Sequence, residues 1–183
     1  MTSPPERIDS GPAILRRWQR SDLDPVYEAL LETREHLTPW LPWAAEVSRE
    51  GQREFLEQAV LNWESGDAFG YAMIIDGLIA GSIGLHRRSG PGELEIGYWV
   101  HAAHTRHGLA SAAAAALTDA AFGLPGTERV EIVVNEKNVA SLGVPRKLGF
   151  EIAGRREARW KPAGGSAADV IWQLTREQWA ARA

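Results

Sequence analysis

The chain has 183 residues, 44% of them apolar, with a formal charge of −4 at pH 7 and no cysteine. Its length and apolar content suit one domain with a full core. The acidic balance argues against a general nucleic-acid binder, and the missing thiols exclude disulfides, thiolate catalysis and cysteine-based metal sites.

Residues 1–12 carry Pro4, Pro5 and Pro12 and few apolar side chains, which predicts a loose terminus ahead of a single domain over 13–183. The start has no apolar stretch of signal-peptide length and no later run approaches a membrane span, so the expectation is a cytoplasmic protein with no membrane partner. Ala13 to Trp18 (AILRRW) is of strand length. In RSDLDPVYEALLETREHL, Ser21 or Asp22 stands ready to cap a helix whose apolar residues recur at helical spacing. TPWLPWA interrupts that pattern. A second helix runs from about Ser48 to Trp63, and Gly66-Asp67 closes it. AFGYAMIIDGLIAGSIGLH reads as two strands joined by Asp76-Gly77, a dipeptide suited to a tight hairpin turn. GELEIGYWVH, Gly92 to His101, is a further extended run. Beyond it the pattern predicts a helix over Arg106 to Phe122, the strand RVEIVVN, and a helix from about Val139 to Leu148 that contains Gly143 and Pro145. The last strands fall in FEIAGRREARW and ADVIWQL. A strand, helix, strand crossover around the alanine run makes part of a mixed α/β sheet parallel.

The stretch HTRHGLASAAAAAL, His104 to Leu117, sets Arg106, His107 and Gly108 before a helix of little but alanine and serine. Alanine favours helix, yet such a helix buries little area. A helix entered through a turn leaves backbone N–H groups free at its first turn, where partial positive charge favours phosphate. Gly108 lets the backbone come close, Arg106 and His107 add donors, and Ala110, Ser111 and Ala112 keep the first turns thin. The other reading is an alanine helix packed tightly on a sheet.

EIGYWVHAAHTRHGLASAA and NEKNVASLGVPRKLGF resemble motifs A and B of the GNAT superfamily of acetyl-CoA-dependent acetyltransferases. HLTPWLPWA and DVIWQLTREQW resemble its RimJ/RimL branch, which acetylates protein or peptide N-termini and some small amines. The four stretches stand in the expected order, and the similarity runs from about Ala13 to Trp179. The resemblance implies a mostly antiparallel sheet, flanked by helices and splayed at a central parallel pair where acetyl-CoA enters. It implies that backbone amides of Arg106, His107, Gly108, Leu109, Ala110 and Ser111 hold the pyrophosphate, and that Trp99 and Val100 face the pantetheine arm. Thr105 of TRHGLA occupies the family's Gln or Arg place, a departure at one phosphate contact.

Acetyl transfer needs a neutral amine, a polarised thioester and release of the thiol. By the resemblance, Glu95 in ELEIGYW is the base, acting directly or through water. Alternation with Leu94 and Ile96 equally allows a solvated strand charge. Asn138 and Ser141 match the family's Asn-x-x-Ser, which puts Asn138 against pantetheine and the Ser141 hydroxyl near the leaving sulfur. Asn and Ser at a helix start also read as simple caps. Ribosomal-protein acetyltransferases of this branch carry a second glutamate some twenty residues past the serine; this chain has REARWKP there, with Trp160 near the place and Glu157 close by. Trp40 and Trp43 in TPWLPWA, with His36, correspond to the border of the acceptor channel, although tryptophans under a loop are also common core residues.

His101, His104 and His107 recur every third residue, but on a helix the first and third point well apart and no HExxH accompanies them, so no metal is expected. Lys137, Arg146, Lys147, Arg155, Arg156, Arg159 and Lys161 make a basic stretch. It reads as a solvated face, a contact to the adenosine 3′-phosphate, or an attraction for an acidic acceptor. The expected function is acetyl transfer to the N-terminal α-amine of a protein or peptide. The alternatives are a small-molecule amine such as an antibiotic, polyamine or modified nucleotide, or an acyl-CoA-binding module without chemistry. Family members often pair as homodimers, though no interface patch stands out in this chain.

Overall fold

A computed structural model describes residues 2–88, 90–159 and 168–182. Among the described residues, eight strands form one sheet in the order β1-β2-β3-β4-β5-β6-β8-β7. They are β1 (Arg7–Asp9), β2 (Ile14–Arg17), β3 (Ala68–Ile75), β4 (Leu78–His86), β5 (Glu93–Val100), β6 (Arg129–Asn135), β7 (Glu151–Glu157) and β8 (Ala168–Thr175). The helices are α1 (Leu23–Leu37), α2 (Arg49–Ser65), α3 (Leu109–Gly123), α4 (Val139–Lys147) and α5 (Arg176–Ala180).

Every neighbouring pair is antiparallel except β5 and β6. These two pair only from Glu93↔Arg129 to Ile96↔Ile132. Past Ile96, β5 follows β4 out to Gly81↔Val100, and past Ile132, β6 follows β8 out to Asn135↔Asp169. The sheet therefore parts. Among the described residues, peptide groups on the facing edges of Gly97–Val100 and of Val133 and Val134 have no strand across from them.

Alternation along the central strands makes two different faces. Tyr71, Met73, Ile83, Leu85, Leu94 and Ile96 join Ala113, Ala114 and Leu117 of α3 in one apolar cluster. Ala72 and Trp99, on the opposite face, pack with Val26, Leu30 and Leu37 of α1 and Leu56 of α2. The methyl side chains of α3 let that helix approach the sheet closely, so tight packing is one real use of the alanine run.

Local chemistry accounts for most element ends. Ser48 accepts a hydrogen bond from the Gly51 amide at 3.1 Å and caps α2, while Gly66 closes it at φ 79°. Asp76 and Gly77 both take positive φ, 50° and 81°, as a two-residue hairpin turn requires. Asp22 precedes α1 without capping it. Its carboxylate instead takes the Arg16 guanidinium at 2.7 and 3.1 Å and the Gln19 amide at 2.8 Å, because a charge-assisted fork outweighs a cap.

Two expectations need correction. The terminus read as loose supplies β1, which pairs with β2, and Pro5 accepts a hydrogen bond from the Tyr71 hydroxyl at 2.9 Å. Pairing at an open sheet edge orders it where composition suggested nothing would. Helix α3 begins at Leu109 rather than Arg106, since Arg106 and Gly108 adopt φ of 66° and 78°, incompatible with a right-handed helix. Pro145 does lie inside α4. Having no N–H, it leaves the Ser141 carbonyl four residues earlier without its helical donor, and the Tyr98 hydroxyl of β5 donates to that carbonyl at 3.2 Å.

Candidate active site

The parted strands open into a cavity of about 1400 Å³ that reaches both faces of the sheet. One end is the turn from Thr105 to Ser111. Positive φ at Arg106 and Gly108 curls this backbone, and among the described residues no protein acceptor is paired with the amides from Arg106 to Ser111. The first bond that closes the turn is from the Ala112 amide to the Gly108 carbonyl, at 3.0 Å. A Cβ built on Gly108 would meet nothing within 4 Å, so the space in front of these amides is open. A curled run of free N–H groups at a helix start has the polarity to receive an anion.

The middle of the cavity is lined by Gly97, Tyr98, Trp99 and Val100 on one side and by Val133, Val134, Asn135, Asn138 and Ser141 on the other. Asn138 caps α4 by accepting from the Ser141 amide at 3.2 Å, so capping and cavity lining are the same arrangement. Tyr98 is half-buried against the core, and the desolvation pushes its phenol well above the ordinary range and keeps it a hydrogen-bond donor at neutral pH.

The other end belongs to the face covered by α1 and α2. Glu95 is only 5% exposed. Its Oε1 accepts from Arg88 at 3.3 Å and Arg159 at 3.4 Å, and its Oε2 lies 3.6 Å from Arg156 with no hydrogen-bond partner among the described residues. The alternative of a solvated strand charge is thereby corrected: β5 is an interior strand, and this face is enclosed. His86 stands opposite Glu95 in the β4–β5 register, with Nε2 3.3 and 3.7 Å from where Cβ atoms on Gly84 and Gly97 would be. Burial, then the charges of Arg88 and Arg159, lower this imidazole to about 4, so it is neutral at pH 7. Trp18, Phe55, Trp40, Trp43 and His36 complete an aromatic wall.

Of the residues expected at the site, Glu95, Trp99, Val100, Arg106, Gly108, Leu109, Ala110, Ser111, Asn138, Ser141, Trp40, Trp43 and His36 all line this one cavity. His107 does not. It is exposed and absent from the lining. Glu157 is exposed at the end of β7 and also stays outside the lining, while Trp160 and Lys161 lie outside the described residues. His101 accepts from the Ala103 amide through Nδ1 and lies 3.3 Å from Glu32, and among the described residues no three His, Asp or Glu side chains are grouped to hold a metal.

Sequence reasoning passed over His86, Tyr98, Arg88, Trp18 and Phe55. Tyr98 and His86 carried a faint signal, since a polar group in an otherwise apolar strand must find a partner. Arg88 carried none. Of the basic stretch, Arg156 and Arg159 enter the cavity, and Arg155 instead pairs with Glu136 at 3.7 Å.

A sheet parted at the parallel pair β5–β6, with free amides at one mouth of the cavity and an enclosed carboxylate at the other, is an architecture compatible with acyl transfer. The chain belongs to the GNAT acetyltransferases: the family profile described as acetyltransferase (GNAT) domain matches residues 13–151. Among solved structures, RimL, a ribosomal alpha-N-protein acetyltransferase in complex with coenzyme A, superposes at a TM-score of 0.86 and 21% identity, over 94% of this chain and 99% of that one. MccE, a microcin self-immunity acetyltransferase in complex with acetyl-CoA and AMP, gives 0.85 and 18%, over 93% and 97%. RimJ from Mycobacterium smegmatis, in complex with a CoA-disulfide, gives 0.85 and 21%, over 97% and 91%. These likenesses are of fold. No curated protein sequence matches the chain, and among the described residues no helix is long and apolar enough to cross a membrane.

Proposed function

We propose that this domain moves an acetyl group from acetyl-CoA to the α-amine at the N-terminus of a protein or peptide. The observation that carries this reading is one continuous cavity whose two mouths have opposite chemistry, free amides at Gly108 and a carboxylate with aromatic walls at Glu95. The bound thioester supplies an activated acetyl group. The amides from Arg106 to Ser111 hold its pyrophosphate, and Trp99, Val100 and Asn138 line the arm. The Ser141 hydroxyl donates to the leaving sulfur. Glu95 receives the proton shed by the amine, through a water.

An α-amine titrates near about 8 and a lysine near about 10.4, so the former is partly neutral already. Glu95, with Oε1 held by two guanidinium groups, suits the smaller demand. A second reading, acetylation of a small-molecule amine, draws support from the likeness to MccE. Incubation with labelled acetyl-CoA, a mixed peptide library and a panel of small amines tests both. Label on peptide N-termini is the expected result, and label on small amines alone transfers the function to the second reading. Acetyl-CoA that raises Tm while no acceptor releases thiol would make this a binding module.

A further inference from the structure

Three arginines from two segments converge on Glu95: Arg88 after β4, and Arg156 and Arg159 at the end of β7 and just beyond it. Of the two carboxylates in the cavity lining, Glu95 and Asp169, only Glu95 is ion-paired to them among the described residues. Asp169 stands opposite Arg156 in the β7–β8 register and accepts from the Arg159 amide at 3.2 Å and the Asn135 side chain at 3.4 Å, so two lining carboxylates stand against these three guanidinium groups; Glu131, outside the lining, accepts from Gln173 at 2.5 Å. His86 adds no compensating negative charge. Like charges gathered around a low-dielectric cavity repel one another unless an anion joins them.

The guanidinium groups also have capacity to spare. Their side chains are 34–44% exposed and line the cavity. Among the described residues, Arg88 and Arg159 each give Glu95 one long bond, and Arg156 gives it none within hydrogen-bonding distance. Planar forks with free N–H pairs match a carboxylate better than any other side chain does. Their position excludes the nucleotide as the natural occupant. Glu95 shares its sheet face with His86 and Trp99, the side covered by α1 and α2, whereas the amide cradle leads into α3 on the opposite side.

We infer that the acceptor carries a carboxylate close to its amine, received by Arg88, Arg156 and Arg159. This rests on the N-terminal reading above, and there it means a peptide with Asp or Glu at its second or third residue. As that carboxylate takes the guanidinium forks, the long bonds to Glu95 loosen and Oε1 becomes free to serve the amine. An acidic acceptor thus improves kcat as well as KM.

The test compares peptides identical except for Asp, Asn or Lys at the second position, read as thiol release. The Asp peptide is expected to exceed the Asn peptide in kcat/KM by about tenfold or more, with the Lys peptide lowest and the spread narrowing as salt is added. Arg156→Gln, and separately Arg88→Gln, should shrink the Asp-to-Asn ratio. Equal rates for Asp and Asn at low salt overturn the inference and leave the N-terminal reading standing. Should no peptide react while small amines do, the N-terminal reading fails, and the inference is judged on amine pairs with and without a carboxylate. Calorimetry with the N-acetylated Asp and Asn peptides supplies a measure without turnover: equal affinity refutes the arginine site.

Discussion

Replacing His86 by glutamine and titrating both proteins from about pH 7 to about pH 4 probes the enclosed end of the cavity through stability alone. Burial and the neighbouring Arg88 and Arg159 lower the imidazole from 6.5 to about 4. In the unfolded chain the ring gains its proton near 6.5, while in the fold it stays neutral down to about 4. Between those values the unfolded state binds more protons, so stability falls as pH falls and returns as pH rises. The interval amounts to about 3 kcal/mol, and the partial exposure of the ring brings the expected reading to about 2 kcal/mol. Urea midpoints at intervals of half a pH unit, converted with a common m-value, measure it. Losses due to carboxylates occur in both proteins and cancel in the difference. Wild type should therefore lose about 2 kcal/mol more than His86→Gln over this range, and the gap should level off below the folded value. Parallel curves would show the imidazole to be freely protonated, and with it the enclosure of this end of the cavity would be refuted.

The remaining predictions concern packing and chemistry. A Cβ on Gly81 would land on the Trp99 carbonyl oxygen, so Gly81→Ala should cost about 2 kcal/mol or more in denaturant melts and raise the KM for acetyl-CoA through displaced β5 backbone. Tyr98→Phe leaves the Ser141 carbonyl without its donor; a loss of about 1–2 kcal/mol in stability and a lower kcat are expected, and an unchanged protein would show that this bond is idle. Gly108→Ala has space but sits at φ 78°, so about 1 kcal/mol of strain should appear in Tm, with weaker acetyl-CoA binding in calorimetry. Glu95→Gln keeps the shape and removes the proton acceptor: kcat should fall by about tenfold to a hundredfold, and unchanged kinetics at the pH optimum remove Glu95 from the mechanism.

What the chain declares by itself is local. Asp76-Gly77 announces a hairpin because only such residues take two consecutive positive φ values cheaply. Ser48, Gly66, Asn138 and the alanine run mark helix ends and a thin helix, since caps and propensity act within a few residues. The turn of free amides ahead of α3 was legible for the same reason: Gly108 and the helix after it are contiguous.

Other features needed the folded chain. Residues 1–12 gave no sign of β1, because edge pairing depends on a neighbour elsewhere in the sheet rather than on propensity. Asp22 looked like a cap until Arg16 was beside it. Glu95 could be named from its place in a motif, but its enclosure by Arg88, Arg156 and Arg159, from segments some sixty residues apart in sequence, is set by the crossing of β5, β6, β8 and β7. Short-range signals specify which backbone a residue can adopt. Which charges meet is decided by topology, and in this protein that meeting of charges forms the enclosed Glu95 end of the cavity.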